Sequence, residues 1–152
     1  MKIAVIYATM SGNTEAIADC IVEGLHRENY SAEIMEIPDI YKVDQLRNYD
    51  LVYLGLYTWG DGDFPDECLD MVENLQDERW DGKHFALFGS GDRSYEYFCG
   101  ALDRLKEILI HRGAIVVAEP LRIEMAPDKE EEEEIARYVR GTLQEAKISK
   151  KV

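Results

Sequence analysis

A run that is apolar on both of its alternating faces, Lys2-Ile3-Ala4-Val5-Ile6-Tyr7-Ala8, leads directly into a polar turn and then a helical stripe. A strand of that kind belongs inside a parallel sheet with helices covering both sides. Ile17, Cys20, Ile21, Gly24 and Leu25 recur at helical spacing and place a helix next. Between the two lies Thr9-Met10-Ser11-Gly12-Asn13-Thr14, rich in hydroxyl, amide and glycine. Such a turn aims free backbone N–H groups at one spot on the positive end of a helix dipole, a spot that suits a phosphate. An ordinary N-cap by Ser11, Asn13 or Thr14 is the alternative. The turn contains neither Gly-x-Gly-x-x-Gly nor Gly-Lys-Ser/Thr, which excludes the dinucleotide fingerprint and the Walker loop. It also lacks Lys and Arg. A phosphate there would be held by dipoles and neutral donors alone.

Strand and helix alternate along the rest of the chain. The pattern predicts strands over residues 2–8, 32–37, 51–57, 84–89 and 114–118, and helices over 13–27, 65–75, 98–112 and 128–146. Segment 38–49 reads as a loop with a short helix. This alternation implies a parallel sheet with right-handed crossovers and helices on both faces. Glu33 and Glu36 put the second strand at an edge. The acidic run Glu130–Glu134 reads as the opening turn of the last helix, after Pro127 and Asp128. With 152 residues, the whole chain (1–152) reads as a single domain.

The acidic residues, 31 against 17 basic ones, give a net charge of −14. That argues against nucleic acid or an anionic membrane as partner and permits steering toward a basic protein surface, although acidity by itself reads first as solubility. Cys20, Cys68 and Cys99 are far apart, as in a reducing compartment. His26, His84 and His111 make no ligand spacing, so no metal is expected. No stretch is long enough to span a bilayer and no leader pattern opens the chain, so a cytoplasmic location is expected.

In open parallel sheets ligands sit beyond the carboxyl ends of the strands, so the loops that follow strands carry the functional information. Besides the first turn, two qualify. One is Tyr57-Thr58-Trp59-Gly60-Asp61-Gly62-Asp63-Phe64; the other is Gly89-Ser90-Gly91-Asp92-Arg93-Ser94-Tyr95-Glu96-Tyr97-Phe98-Cys99. Both combine glycines with aromatics. Packing within each loop is the plain explanation of one aromatic. Two such loops beside a phosphate-shaped turn fit a flat ring with a phosphate tail.

At these residues the chain resembles the flavodoxins, and within them the short-chain group. Thr9-x-Ser11-Gly12-Asn13-Thr14 is similar to that family's FMN phosphate loop, and Thr58-Trp59-Gly60-Asp61 to its first ring-flanking loop. Gly91-Asp92-x-Ser94-Tyr95-Glu96-Tyr97-Phe98-Cys99-Gly100-Ala101 is similar to the second. Residues 114–124 run straight to Pro127 and leave no room for the insertion of the long-chain group. Arg93 stands where a small hydroxyl residue is usual, and Gly62 where an acid is common.

The resemblance implies an α/β fold, flavodoxin-like: three layers, doubly wound, around a five-stranded parallel sheet in strand order 2-1-3-4-5. It implies non-covalently bound FMN. Thr9, Ser11, Asn13 and Thr14, with Met10 and Gly12 in the same turn, would hold the phosphate. Trp59 would cover the inner ring face and Tyr95 the outer. Backbone groups of Gly60, Asp61, Gly91, Asp92 and Cys99 would meet the polar ring edge. Thr58, Ser90, Tyr97 and Phe98 complete the expected cofactor-binding set.

The function implied is a low-potential one-electron carrier working between the semiquinone and hydroquinone forms of FMN, and not an enzyme. It would be a monomer that shuttles electrons between basic redox partners docking by electrostatics. Gly60 would let its peptide turn toward the flavin, and nearby acids would lower the second potential. An FMN-dependent reductase of the same fold is the alternative. A signalling receiver domain shares the topology, but its acids are missing: Ala8-Thr9 and Thr58-Trp59 occupy those places.

Overall fold

The computed structural model describes residues 1–37 and 42–150, without the side chains of the last two. Its strands are β1 (Ile3–Tyr7), β2 (Ala32–Glu36), β3 (Leu51–Tyr57), β4 (His84–Gly91), β5 (Ile115–Val116) and β6 (Leu121–Glu124). Its α-helices are α1 (Asn13–Arg27), α2 (Leu69–Gln76), α3 (Gly100–His111) and α4 (Lys129–Lys150). The sheet runs β2-β1-β3-β4-β5, with β6 also paired to β4, and every ladder between named strands is parallel. This is the expected doubly wound order. Among the described residues no helix is long and apolar enough to cross a membrane.

Alternation along each strand feeds two cores. Ala4 and Ile6 of β1, with Val52, Leu54 and Leu56 of β3, face α2 and α3. Ile3, Val5 and Tyr7, with Leu51 and Tyr53, face α1 and α4 through Ile17, Ile21, Leu25, Ile135 and Val139. β1 and nearly all of β3 and β4 are buried, which explains why these strands read as unbroken apolar runs. Among the described residues β2 pairs only with β1, and it is half open to solvent, as its glutamates require.

The structure departs from the sequence expectations at several boundaries, one of them the end of β4, which runs to Gly91 and not to residue 89. The fifth strand is split: β5 pairs with His84 and Phe85, and β6 with Phe88 to Gly91. Pro120, just before β6, has no N–H for a ladder bond, so the edge breaks there and resumes. The second helix is preceded by a tighter 3₁₀ turn, Asp66–Cys68, and turns α-helical only at Leu69. α3 starts at Gly100 because Cys99 lies in the left-handed region at φ 53°. α4 runs past residue 146 to Lys150. Its start is as expected: the Asp128 carboxylate accepts the Glu131 N–H at 2.8 Å, and the Glu131 carboxylate accepts the Asp128 N–H at 3.1 Å. Of segment 38–49, Val43–Asn48 forms a 3₁₀ helix, and residues 38–41 lie outside the described residues.

Candidate functional site

The carboxyl ends of β1, β3 and β4 lie side by side: Tyr7 pairs with Gly55, and Tyr57 with Ser90. The turn after β1 and the loops after β3 and β4 therefore emerge along one end of the sheet. The chain leaves β1 toward β2 on one side and returns to β3 on the other. That reversal is the switch point where ligands bind in such sheets, a rule for which the flavodoxin order is itself a type case.

In the turn after β1, Thr9 Oγ1 accepts the Gly12 N–H at 3.0 Å, and Gly12 takes φ 90°. Glycine adopts that conformation freely. Among the described residues no side chain caps α1, which follows. The capping alternative for Ser11, Asn13 and Thr14 is thus overturned, because none of these side chains closes the helix. The first-turn N–H groups keep their donor character, and no cation lies within the turn. Met10, Ser11 and Gly12 are exposed, Thr9 and Asn13 half-buried. Thr14 is buried, and its hydroxyl lies 2.8 Å from that of Ser90.

The loop after β3 closes on itself. Trp59 and Asp63 exchange backbone hydrogen bonds at 2.8 and 2.9 Å, with Gly60 and Gly62 at positive φ between them. Trp59 is nonetheless 51% exposed and Tyr95, on the neighbouring loop, 46%. Large flat side chains left half in water beside a polar turn suit a ring that would cover them. Tyr97 is exposed too, and its N–H is accepted by the Asp61 carboxylate at 2.9 Å. That bond ties the two ring loops together. Thr58 helps: its N–H reaches the Ser90 carbonyl at 3.3 Å, and its hydroxyl accepts from Ala101 N at 3.4 Å.

The third loop is braced from beneath. The Asp92 carboxylate accepts the Ser94 N–H at 2.9 Å, which holds its pKa below the usual carboxylate range. Phe98 is half-buried against the α2–α3 core and carries the Arg93 guanidinium 4.4 Å above its ring. Its ring therefore faces the core. A Cβ on Gly91 would lie 2.8 Å from the Cys99 sulfur, so strand end and cysteine are in close contact.

Two supporting residues escape sequence reasoning. The Glu124 carboxylate accepts the Arg93 N–H at 2.9 Å, and Met125, at φ 58°, donates its N–H to the Gly91 carbonyl at 3.2 Å. Both follow from β6, a strand the pattern did not separate. The one available signal is their position at a strand's carboxyl end. Asp63 is paired with Arg104 at 3.6 Å, a cation equally unmarked in the sequence.

Burial pushes the Cys68 and Cys99 thiols from 9.0 up to about 12; at Cys99 the Arg122 and Arg93 charges oppose that rise. A thiol whose folded pKa is raised supports the fold fully below the unfolded value near 9. That support is lost as pH climbs toward 12. Burial raises Tyr49 and Tyr57 to about 12 also. We expect the urea midpoint to fall between pH 9 and pH 12. At pH 8, iodoacetamide is expected to label Cys20 alone, seen as one adduct by mass spectrometry; rapid labelling of Cys99 would contradict this packing.

The flavodoxin family model matches residues 5–138 of the chain. Probable flavodoxin 2 of Bacillus subtilis is 48% identical over 139 residues, 91% of this chain and 92% of the relative. The flavodoxin of Maridesulfovibrio salexigens is 32% identical over 132 residues, 86% of this chain and 90% of the relative. Among solved structures, oxidised flavodoxin 2 from Bacillus cereus superimposes with a TM-score of 0.89 at 41% identity, over 95% of this chain and 99% of that one. A short-chain flavodoxin associated with a bacterial microcompartment also gives 0.89, at 31% identity, over 96% and 99%. Flavodoxins are electron-transfer flavoproteins and not enzymes. The chain belongs to the flavodoxin family, among its short-chain members.

Proposed function

We propose that this protein is a low-potential one-electron carrier that holds FMN non-covalently at the switch point and passes electrons between redox enzymes. The supporting observation is the pairing of an uncapped, cation-free helix start with two half-exposed flat side chains at one end of the sheet. Bound FMN supplies the one-electron redox chemistry; the chain supplies binding, orientation and field.

Thr9 shapes the turn with its oxygen and keeps its own hydrogen to donate, while Ser11, Asn13 and the first-turn N–H groups add neutral donors. Trp59 and Tyr95 take the two ring faces. Gly60, at φ 56° with nothing within 4 Å of a Cβ position, leaves its peptide free to turn toward the ring. Asp61, Asp63, Asp92 and Glu96 form an acidic rim that disfavours added negative charge and faces basic partners. The protein works as a single-domain monomer in the cytoplasm.

Titrating FMN into the apoprotein tests this. The expected result is stoichiometric quenching of flavin fluorescence and a yellow complex. Trp59→Ala should weaken binding about tenfold through lost stacking. A colourless protein that leaves FMN fluorescence unchanged overturns the proposal.

A further inference from the structure

We infer that Ser90 is a positioning residue for the phosphate end of the ligand, acting through Thr14 and favouring phosphorylated over unphosphorylated flavin. The inference rests on the FMN reading above and gives Ser90, already in the expected cofactor-binding set, a specific part at the phosphate end through Thr14. Thr14 Oγ1 and Ser90 Oγ stand 2.8 Å apart, joining residues 76 positions apart in sequence. Both residues are buried, at 1% and 4% exposure. Thr14 is the second residue of α1, so its own peptide belongs to the uncapped first turn. Ser90 is next to last in β4, at the root of the second ring loop. Among the described residues theirs is the only side-chain hydrogen bond between turn 9–14 and loop 89–99.

Two hydroxyls at this distance share one hydrogen, so one of the two keeps its own hydrogen free. Either oxygen can be the donor here. An anion over the turn selects one polarity: Ser90 donates to Thr14, and the Thr14 hydrogen is released toward the anion. All dipoles in that chain then point the same way and strengthen one another. The opposite polarity spends the Thr14 hydrogen on Ser90. This matters because the turn has no Lys or Arg, so a phosphate there depends on each neutral donor.

The bond also anchors the first turn of α1 to the sheet and fixes where its N–H groups aim. Removing the Ser90 hydroxyl releases the Thr14 hydroxyl and loosens that anchor. Trp59 and Tyr95 are untouched. The backbone of residue 90 still accepts from Thr58. The loss should therefore fall on ligands that carry a phosphate and spare those that do not.

The test is fluorescence titration of FMN and of riboflavin into wild-type, Ser90→Ala and Ser90→Thr apoprotein. Thermal midpoints of the three apoproteins check folding, and Ser90→Cys stands in should the alanine variant not fold. The expected result is that Ser90→Ala raises the Kd for FMN about tenfold, some 1.4 kcal/mol, and leaves riboflavin within twofold. Ser90→Thr should restore FMN binding. Equal weakening of both ligands, or of neither, in a folded variant overturns the inference and leaves FMN binding standing. Failure of the wild-type protein to bind FMN at all removes the FMN reading itself.

Discussion

Gly89→Ala is expected to destabilise the protein by about 3 kcal/mol, lowering the thermal midpoint by about 6–12 °C. A Cβ at residue 89 would stand 2.2 Å from the Leu56 carbonyl oxygen of the neighbouring strand. Leu56 and Gly89 are register partners in the middle of the sheet, so relief demands movement of backbone that ladder bonds hold in place. Gly55→Ala supplies the contrast. Its Cβ would meet Cε2 and Cζ of Phe88, also at 2.2 Å. That obstacle is a side chain, so it can be removed. Phe88→Leu on the Gly55→Ala background should recover part of the loss, whereas no side-chain change rescues Gly89→Ala. Calorimetry on the single and double variants checks this as a coupling energy. An unperturbed midpoint in Gly89→Ala would mean that β3 and β4 do not approach as described.

Replacing Asp61, Asp63 and Asp92 together with asparagine should raise the potential of the bound flavin's second one-electron step by about 90 mV at low salt. A carboxylate about 12 Å from the reduced ring, at an effective dielectric of about 40, contributes about 30 mV. Asparagine keeps the oxygen that accepts from Tyr97 N–H at residue 61 and from Ser94 N–H at residue 92. The substitution therefore removes charge with little change of shape. At residue 63 it leaves Arg104 without this partner but with its charge unchanged. Arg93, seated on Phe98, is a fixed cation already acting in the same direction. The shift should shrink as ionic strength rises, since the rim is exposed. A spectroelectrochemical titration that shows no positive shift rules out the electrostatic origin of a low potential.

The fold was legible because its signals are local. Buried strands such as residues 3–7 and 51–57 are apolar on both faces, and α1 carries its stripe within its own fifteen residues. Residue types in the three loops were equally readable: glycines at positive φ in the first two, and aromatics in the loops after β3 and β4. Boundaries were less so. Cys99 in a left-handed conformation delays α3, and Pro120 breaks an edge that periodicity joins into one strand.

By itself the sequence determined the order of strands and helices, the parallel sheet, and which turn and loops stand at strand ends, because each follows from spacing along a few neighbouring residues. Tertiary structure alone decided how those loops are tied to one another. It paired Thr14 with Ser90, Tyr97 with Asp61, and Arg93 with Glu124, and it left α1 without a side-chain cap. These partners lie 31 to 76 residues apart. Their hydrogen bonds exist only once the sheet has set strands β1, β3, β4 and β6 in register, a geometry that no local pattern encodes.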